Sequence, residues 1–158
     1  MINITTAEQN RLDKFPELFG KEKFKNMPLY SYAERLFYTG MDQMVAKYSG
    51  GYFDFMEILE ADVDIEKSGF IPLITDDGDV ELVNHFGTTQ TLSFKAASLV
   101  VWIYILEQIA NNIENNTVSQ RLYRTIEDIK YCHSNLINEE GSKVFTEEDC
   151  TAIYKLLN

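Results

Sequence analysis

The chain has little of what most chemistry needs: two histidines, two cysteines and one tryptophan in 158 residues, with only three prolines. Zinc sites take about four His or Cys ligands, so these counts make a zinc centre a poor fit. Neither histidine has a nucleophile placed to use it within its local sequence, which leaves only a dyad assembled across the fold. Cys132 and His133 are neighbours on a predicted helix, where consecutive side chains diverge by about 100° and do not face each other. Nucleophile-elbow and phosphate-loop patterns are missing as well. Cationic charge is also scarce, with 14 basic residues against 25 acidic ones and a net charge of −11. That balance disfavours attraction to a nucleic-acid backbone, itself densely negative.

Long hydrophobic runs are short supply too. The most apolar stretch, Ala96 to Leu106, is bounded by Lys95 and Glu107 and falls well below the roughly 20 residues of a membrane span. It reads as a buried helix. The opening MINITTAEQNR has neither the cationic flank nor the apolar core of a secretory signal, so the protein is expected in the cytoplasm, with both cysteines as reduced thiols. Neither a low-complexity tract nor a fixed-period repeat interrupts the chain. Its length suits one domain, 15–158, preceded by a flexible N-terminal segment, 1–14.

What is present predicts helices around a small sheet. Ser31 to Tyr48 carries Tyr32, Leu36, Met41, Met44, Val45 and Tyr48 near the 3.6-residue period. Ser31 and Glu34 have capping-box spacing, and Ser49-Gly50-Gly51 supplies a stop. Strands are expected at Tyr52 to Leu59, Gly69 to Thr75 and Val80 to Asn84. A type I′ turn at Asp77-Gly78 would pair the last two, and Thr88 to Leu92 could form a short edge strand. Ser93 reads as the N-cap of a helix to about Asn111 that is apolar on nearly every face and therefore central. An amphipathic helix over Thr117 to Leu136 and a last one opened by Thr146-x-x-Asp149 complete the chain. The implied class is α+β: a small antiparallel sheet of three to four strands packed against helices, with Trp102 across it.

The run Glu60, Asp62, Asp64, Glu66 invites a calcium test. With Asp62 at position one, Lys67 stands where the loop needs glycine, and Leu73 where it needs a bidentate glutamate. Alternation with Ala61, Val63 and Ile65 reads instead as a strand or loop with a solvated acidic face. No metal or cofactor is expected. Asp42 lies off the Met41, Met44, Val45, Tyr48 stripe and should be exposed. Asp42, Glu57, Glu60, Asp62, Asp64 and Glu66 are thus the candidate partner-binding carboxylates.

One larger pattern is left. Met41-Asp42, the segment Tyr48-Ser-Gly50-Gly51-Tyr52 running into Phe53 and Phe55, Gly69-Phe70-Ile71-Pro72, Leu92-Ser93-x-x-Ala96-Ala97, the Phe15-to-Gly20 arm and Ala152-Ile153-Tyr154 together resemble the ArdB/KlcA antirestriction family in order and spacing. The chain departs from that pattern at Phe53, where the family usually has tryptophan, and at Ser68-Gly69. Lys21 to Ala33 and Met56 to Ser68 are longer than usual. The resemblance implies relief of DNA cleavage by type I restriction-modification enzymes, on behalf of a mobile element such as a plasmid, with no catalytic residues. It also implies a protein partner, either a restriction subunit or an associated host factor, while the net charge and the short apolar runs argue against direct nucleic-acid or membrane binding. Two other readings stay open: an acidic adaptor for another protein of a mobile element, and a hydrolase whose site is assembled from a cysteine and a histidine.

Overall fold

The computed structural model describes residues 2–6, 16, 18–50, 53–58, 70–74, 78–138 and 140–158; for 2–6, 53–58 and 70–74 the description is of backbone and register. The class is α+β. Strands β1 (Ile2–Thr6), β2 (Lys23–Phe24) and β3 (Met27–Pro28) lead into helix α1 (Leu29–Met44). Strands β4 (Phe53–Ile58), β5 (Phe70–Ile74), β6 (Asp79–Val83) and β7 (Thr89–Ser93) follow. Helices α2 (Phe94–Asn112), α3 (Asn116–Cys132) and α4 (Glu147–Leu157) close the chain, with a 3₁₀ turn at His133–Asn135.

Helix α2 is the centre of the core. Twelve of its residues are buried, from Ala96 to Ala110, and they lie on every side of its axis. It packs against α1, α3, α4 and β5. From Ala96 to Leu106 such a helix has almost no solvent-facing stripe, so the layers around it must cover that stretch, and only its last turns, with Gln108, Asn111 and Asn112, reach solvent. Trp102 is 1 % exposed. Phe19 meets its ring edge-on at a centroid distance of 6.0 Å, and Phe37 does so at 5.8 Å. Among the described residues, rings from the N-terminal arm and α1 are thus seated on the tryptophan.

All strand pairing is antiparallel, but it is distributed differently from the single sheet expected. One sheet has the order β1-β4-β5, and β2-β3 and β6-β7 are separate hairpins. The opening segment, expected to be loose, contributes β1, which pairs with β4 from Ile2↔Ile58 to Thr6↔Phe55. Its Ile and Thr residues favour extended backbone.

Strand β6 pairs with β7, from Asp79↔Ser93 to Val83↔Thr89, and not with β5. The cause is Asn84. Its Oδ1 accepts from the backbone N–H of Phe86 at 3.0 Å and of Thr88 at 2.9 Å, closing a tight turn that sends the chain straight back. Asp77 lies outside the described residues. Gly78, at φ +104°, stands at the base of this hairpin, where its carbonyl accepts from Phe94 N–H at 3.3 Å.

Helix α1 begins and ends earlier than its periodicity suggests. Pro28 is the N-cap, with no side-chain cap bond, and Leu29 N–H donates to the Glu22 carbonyl at 2.9 Å. Ser31 thus lies inside the first turn and not at the cap. At the other end Val45 leaves the helix to bridge Leu82, and Ala46 N–H donates to the Glu81 carbonyl at 2.9 Å. Pairing with β6 therefore stops the helix before the glycines are reached. Gly50, at φ +99°, shapes the loop beyond.

Gly40 explains how α1 approaches α2 so closely. A Cβ built there would lie 2.9 Å from Val101 Cγ1 and 3.4 Å from Ile105 Cδ1. Valine is stiff at χ1 and cannot easily yield. Alanine at position 40 would gain about 0.8–1 kcal/mol of helix propensity, but overpacking a buried seam costs about 1–3 kcal/mol. Gly40→Ala should therefore lower the melting temperature. A rise in calorimetry would show that the seam opens freely.

Candidate functional site

Asp42 sits on α1 and is exposed, while Met41 and Met44 beside it are buried in the core. Glu57 lies in β4, the middle strand of its sheet, in register with Asn3 on one side and Phe70 on the other. Glu60, Asp62, Asp64 and Glu66 lie outside the described residues, as do Gly51, Tyr52 and Gly69. Helix α2 connects the described parts, since it packs on both α1 and β5. Among the described residues, no three His, Cys, Asp or Glu side chains group to hold a metal ion. Tyr48 is half-buried against the core.

Ser93 has a more definite position. It caps α2, its Oγ accepting from Ala96 N–H at 3.2 Å. The same hydroxyl donates to Asp149 Oδ2 at 2.7 Å, and Ser93 N–H donates to Asp149 Oδ1 at 2.9 Å. Asp149 is buried in the first turn of α4, where its own N–H donates to the Thr146 cap at 3.1 Å. Two helix N-termini are thereby locked together through one carboxylate. Hydrogen bonds to a charged acceptor are about twice as strong as neutral ones. The residue that resembles a family landmark is thus a structural clasp.

A second tether runs through Asn84. Its Nδ2 donates to the Leu156 carbonyl at 3.2 Å, and the Tyr104 hydroxyl donates to that same carbonyl. Burial pushes the Tyr104 hydroxyl pKa up. The β6–β7 turn is therefore pinned to the end of α4. Phe86, at its tip, is 89 % exposed. Sequence reasoning passed over this turn, although Asn84 followed three residues later by Gly87 (φ +81°) was a usable turn signal.

The two thiols and two imidazoles are spread over α3, the 3₁₀ turn after it, α4 and the β6–β7 turn. Cys132 is buried, and burial pushes its thiol up to about 11. Cys150 is half-buried and also raised, by burial first and by Asp149 second. His133 is buried, with Nδ1 2.8 Å from the Lys130 carbonyl. His85 meets the Tyr104 ring edge-on. Two adjoining grooves around Phe24, Tyr32 and Leu36 contain no histidine, cysteine or carboxylate in their lining. Among the described residues, no helix is long and apolar enough to cross a membrane.

With this geometry in hand, comparison identifies the architecture. No family model matches the chain, and no curated protein does. A solved structure does. The fold is that of the KlcA and ArdB proteins, superposing with a TM-score of 0.68 over 100 % of this chain and 94 % of that one, at 22 % identity. That fold was described as novel, and those proteins as showing antirestriction activity against type I DNA restriction systems in vivo but not in vitro. The resemblance legible in the sequence is met in three dimensions along the whole chain.

Two outcomes follow. Ser93→Ala removes a cap costing about 0.5–2 kcal/mol, and it also deprives Asp149 of a bond. Its effect should be strongly non-additive with Asp149→Ala, with a coupling above about 0.5 kcal/mol in a double-mutant cycle. Additive losses would mean that the clasp contributes no shared energy. Iodoacetamide should label Cys132 slowly in the native protein near pH 7.5 and rapidly once the chain is unfolded. Labelling scored by mass spectrometry should accelerate as pH approaches about 11, because the thiolate is the nucleophile. Fast native labelling at neutral pH would contradict the buried placement.

Proposed function

We propose that this chain is an antirestriction protein of the ArdB/KlcA type, which relieves DNA cleavage by type I restriction-modification enzymes by binding a protein and not by catalysis. The observation that carries the reading is the match to the KlcA and ArdB fold over the whole chain. The net charge of −11 supports a protein partner over DNA. Activity in those proteins in vivo but not in vitro favours a target present only in the cell: a host component on which restriction depends, or a restriction subunit in its working assembly. Cytoplasmic action on behalf of a mobile element belongs to the same reading.

The proposed contact surface is Asp42 together with Glu57, Glu60, Asp62, Asp64 and Glu66. Asp42 is exposed on a helix anchored from behind by buried Met41 and Met44. The backbone that carries it is thus ordered before any partner arrives, which limits the entropy lost on binding. Contacts of this kind set association rate and specificity, and salt screens them.

The test is the plating of unmodified phage on cells carrying a type I system. Expression of the parent should raise plating efficiency well above the vector control. Replacing the six carboxylates by Asn or Gln should abolish that gain while leaving the circular dichroism and melting transition near the parent's. Full protection by the folded six-site variant would remove the acidic surface from the mechanism. No protection by the parent against several type I systems would overturn the antirestriction reading, leaving an adaptor role to be sought by pull-down.

A further inference from the structure

Hairpin β2–β3, helix α1 and the C-terminal end of α2 enclose two adjoining grooves, with volumes of about 330 and 290 Å³. They share Phe24, Tyr32 and Leu36 as a common ridge. Phe24 and Tyr32 stack with tilted rings at a centroid distance of 4.6 Å. Ile109 and Ile113 floor the larger groove, with the Gln108 and Asn112 amides at its edge. Lys25 and Arg35 border the smaller one.

The charge here runs against the rest of the molecule. The protein carries 25 acidic residues, yet among the described residues the grooves are lined by two cations and no carboxylate. Lys25 and Arg35 are both exposed, and neither forms an ion pair among the described residues.

Lys25 is also held against its backbone preference. Lys25 at φ +51° and Asn26 at φ +65° make the two-residue turn between β2 and β3. Two positive φ values suit a type I′ hairpin turn. Asn tolerates that region, whereas a lysine there gives up about 1–2 kcal/mol. The turn holds Lys25 Nζ 5.4 Å from the Phe24 ring centroid, at the mouth of the groove.

We propose that this groove binds a short acidic peptide segment of a partner protein, with apolar side chains seated on either side of the Phe24–Tyr32–Leu36 ridge and carboxylates facing Lys25 and Arg35. Two chambers joined by a ridge suit successive side chains of one peptide better than one compact ligand. The exposed Gln108 and Asn112 amides offer hydrogen bonds to its backbone. The negative net charge does not forbid this, because charges beyond ~8 Å are largely screened at physiological ionic strength. The site stands independently of the antirestriction reading and of the acidic surface.

The test uses the full chain and a fluorescein-labelled Asp-Phe-Glu-Asp-Leu-Glu peptide, followed by anisotropy. Saturable binding that weakens with salt is expected. The K25E/R35E double variant, altered only at exposed positions, should bind about tenfold more weakly, equivalent to about 1.4 kcal/mol. L36D, on the ridge, should bind more weakly still. An analogue with lysine at the acidic positions should not bind. Unchanged affinity in folded K25E/R35E, equal binding of the lysine analogue, or absence of binding would each overturn the proposal. Competition by phenylacetate as effective as by unlabelled peptide would overturn it in favour of a small-carboxylate pocket. Phage protection measured on K25E/R35E separates the two surfaces: its retention alongside lost peptide binding would leave the antirestriction reading standing and this groove separate from it.

Discussion

Everything in this fold answers to the burial of α2 from Ala96 to Leu106 on nearly every side. A helix whose surface runs Leu99-Val-Val-Trp-Ile-Tyr-Ile-Leu106 leaves no stripe for water, so other elements must cover it completely. Each fully buried aliphatic or aromatic side chain contributes about 1.5–3 kcal/mol, and α2 concentrates many of them on one axis. The surrounding parts are shaped to that demand. Gly40 lets α1 come close enough to press on Val101 and Ile105. Phe19 reaches in from the arm, together with Phe37 from α1, to enclose Trp102. The N-terminus of α2, where backbone donors lack intrahelical partners, is closed by Ser93 and tied to α4 through Asp149.

The same principle governs how the surfaces are presented. Asp42 projects from a helix whose opposite face is committed to the core, and the cationic groove uses that helix again beside the end of α2. Neither surface relies on a metal ligand, a reactive thiol or an imidazole among the described residues. What they offer is charge and apolar area held in fixed positions. Such surfaces suit recognition of another protein, with pre-organisation limiting the entropy lost on binding.

Much of this was legible because it follows from local chemistry. The unbroken apolar run announced the central helix, and Ser93 and Thr146 announced two of the caps. The strands at 53–58 and 70–74 followed from β-branched and aromatic residues, and their antiparallel arrangement from the segregation of strands and helices along the chain. What escaped was set by distant partners. The end of α1 is decided by Val45 pairing with Leu82, far along the chain, and not by the Gly50-Gly51 dipeptide that looks like a stop. The partners of β6 are decided on one edge by the Asn84 side chain and on the other by Val45 and Ala46, which a pattern of apolar and polar residues does not register. Asp149 was legible as part of a capping sequence, but its bonds to Ser93 across 56 residues were not. The groove escaped for a similar reason: Lys25 is unremarkable until the hairpin places it over Phe24 beside α1.

Native-state hydrogen exchange tests the dependence on α2 most directly. If one buried helix organises the whole, its inner amides should exchange only through global unfolding, with an opening free energy equal to that from denaturant titration. The first turn of α4, joined to it through Asp149, should be among the last regions to open below that limit. Exchange of α2 through a smaller, local opening, while α1 and α3 stayed protected, would contradict the account.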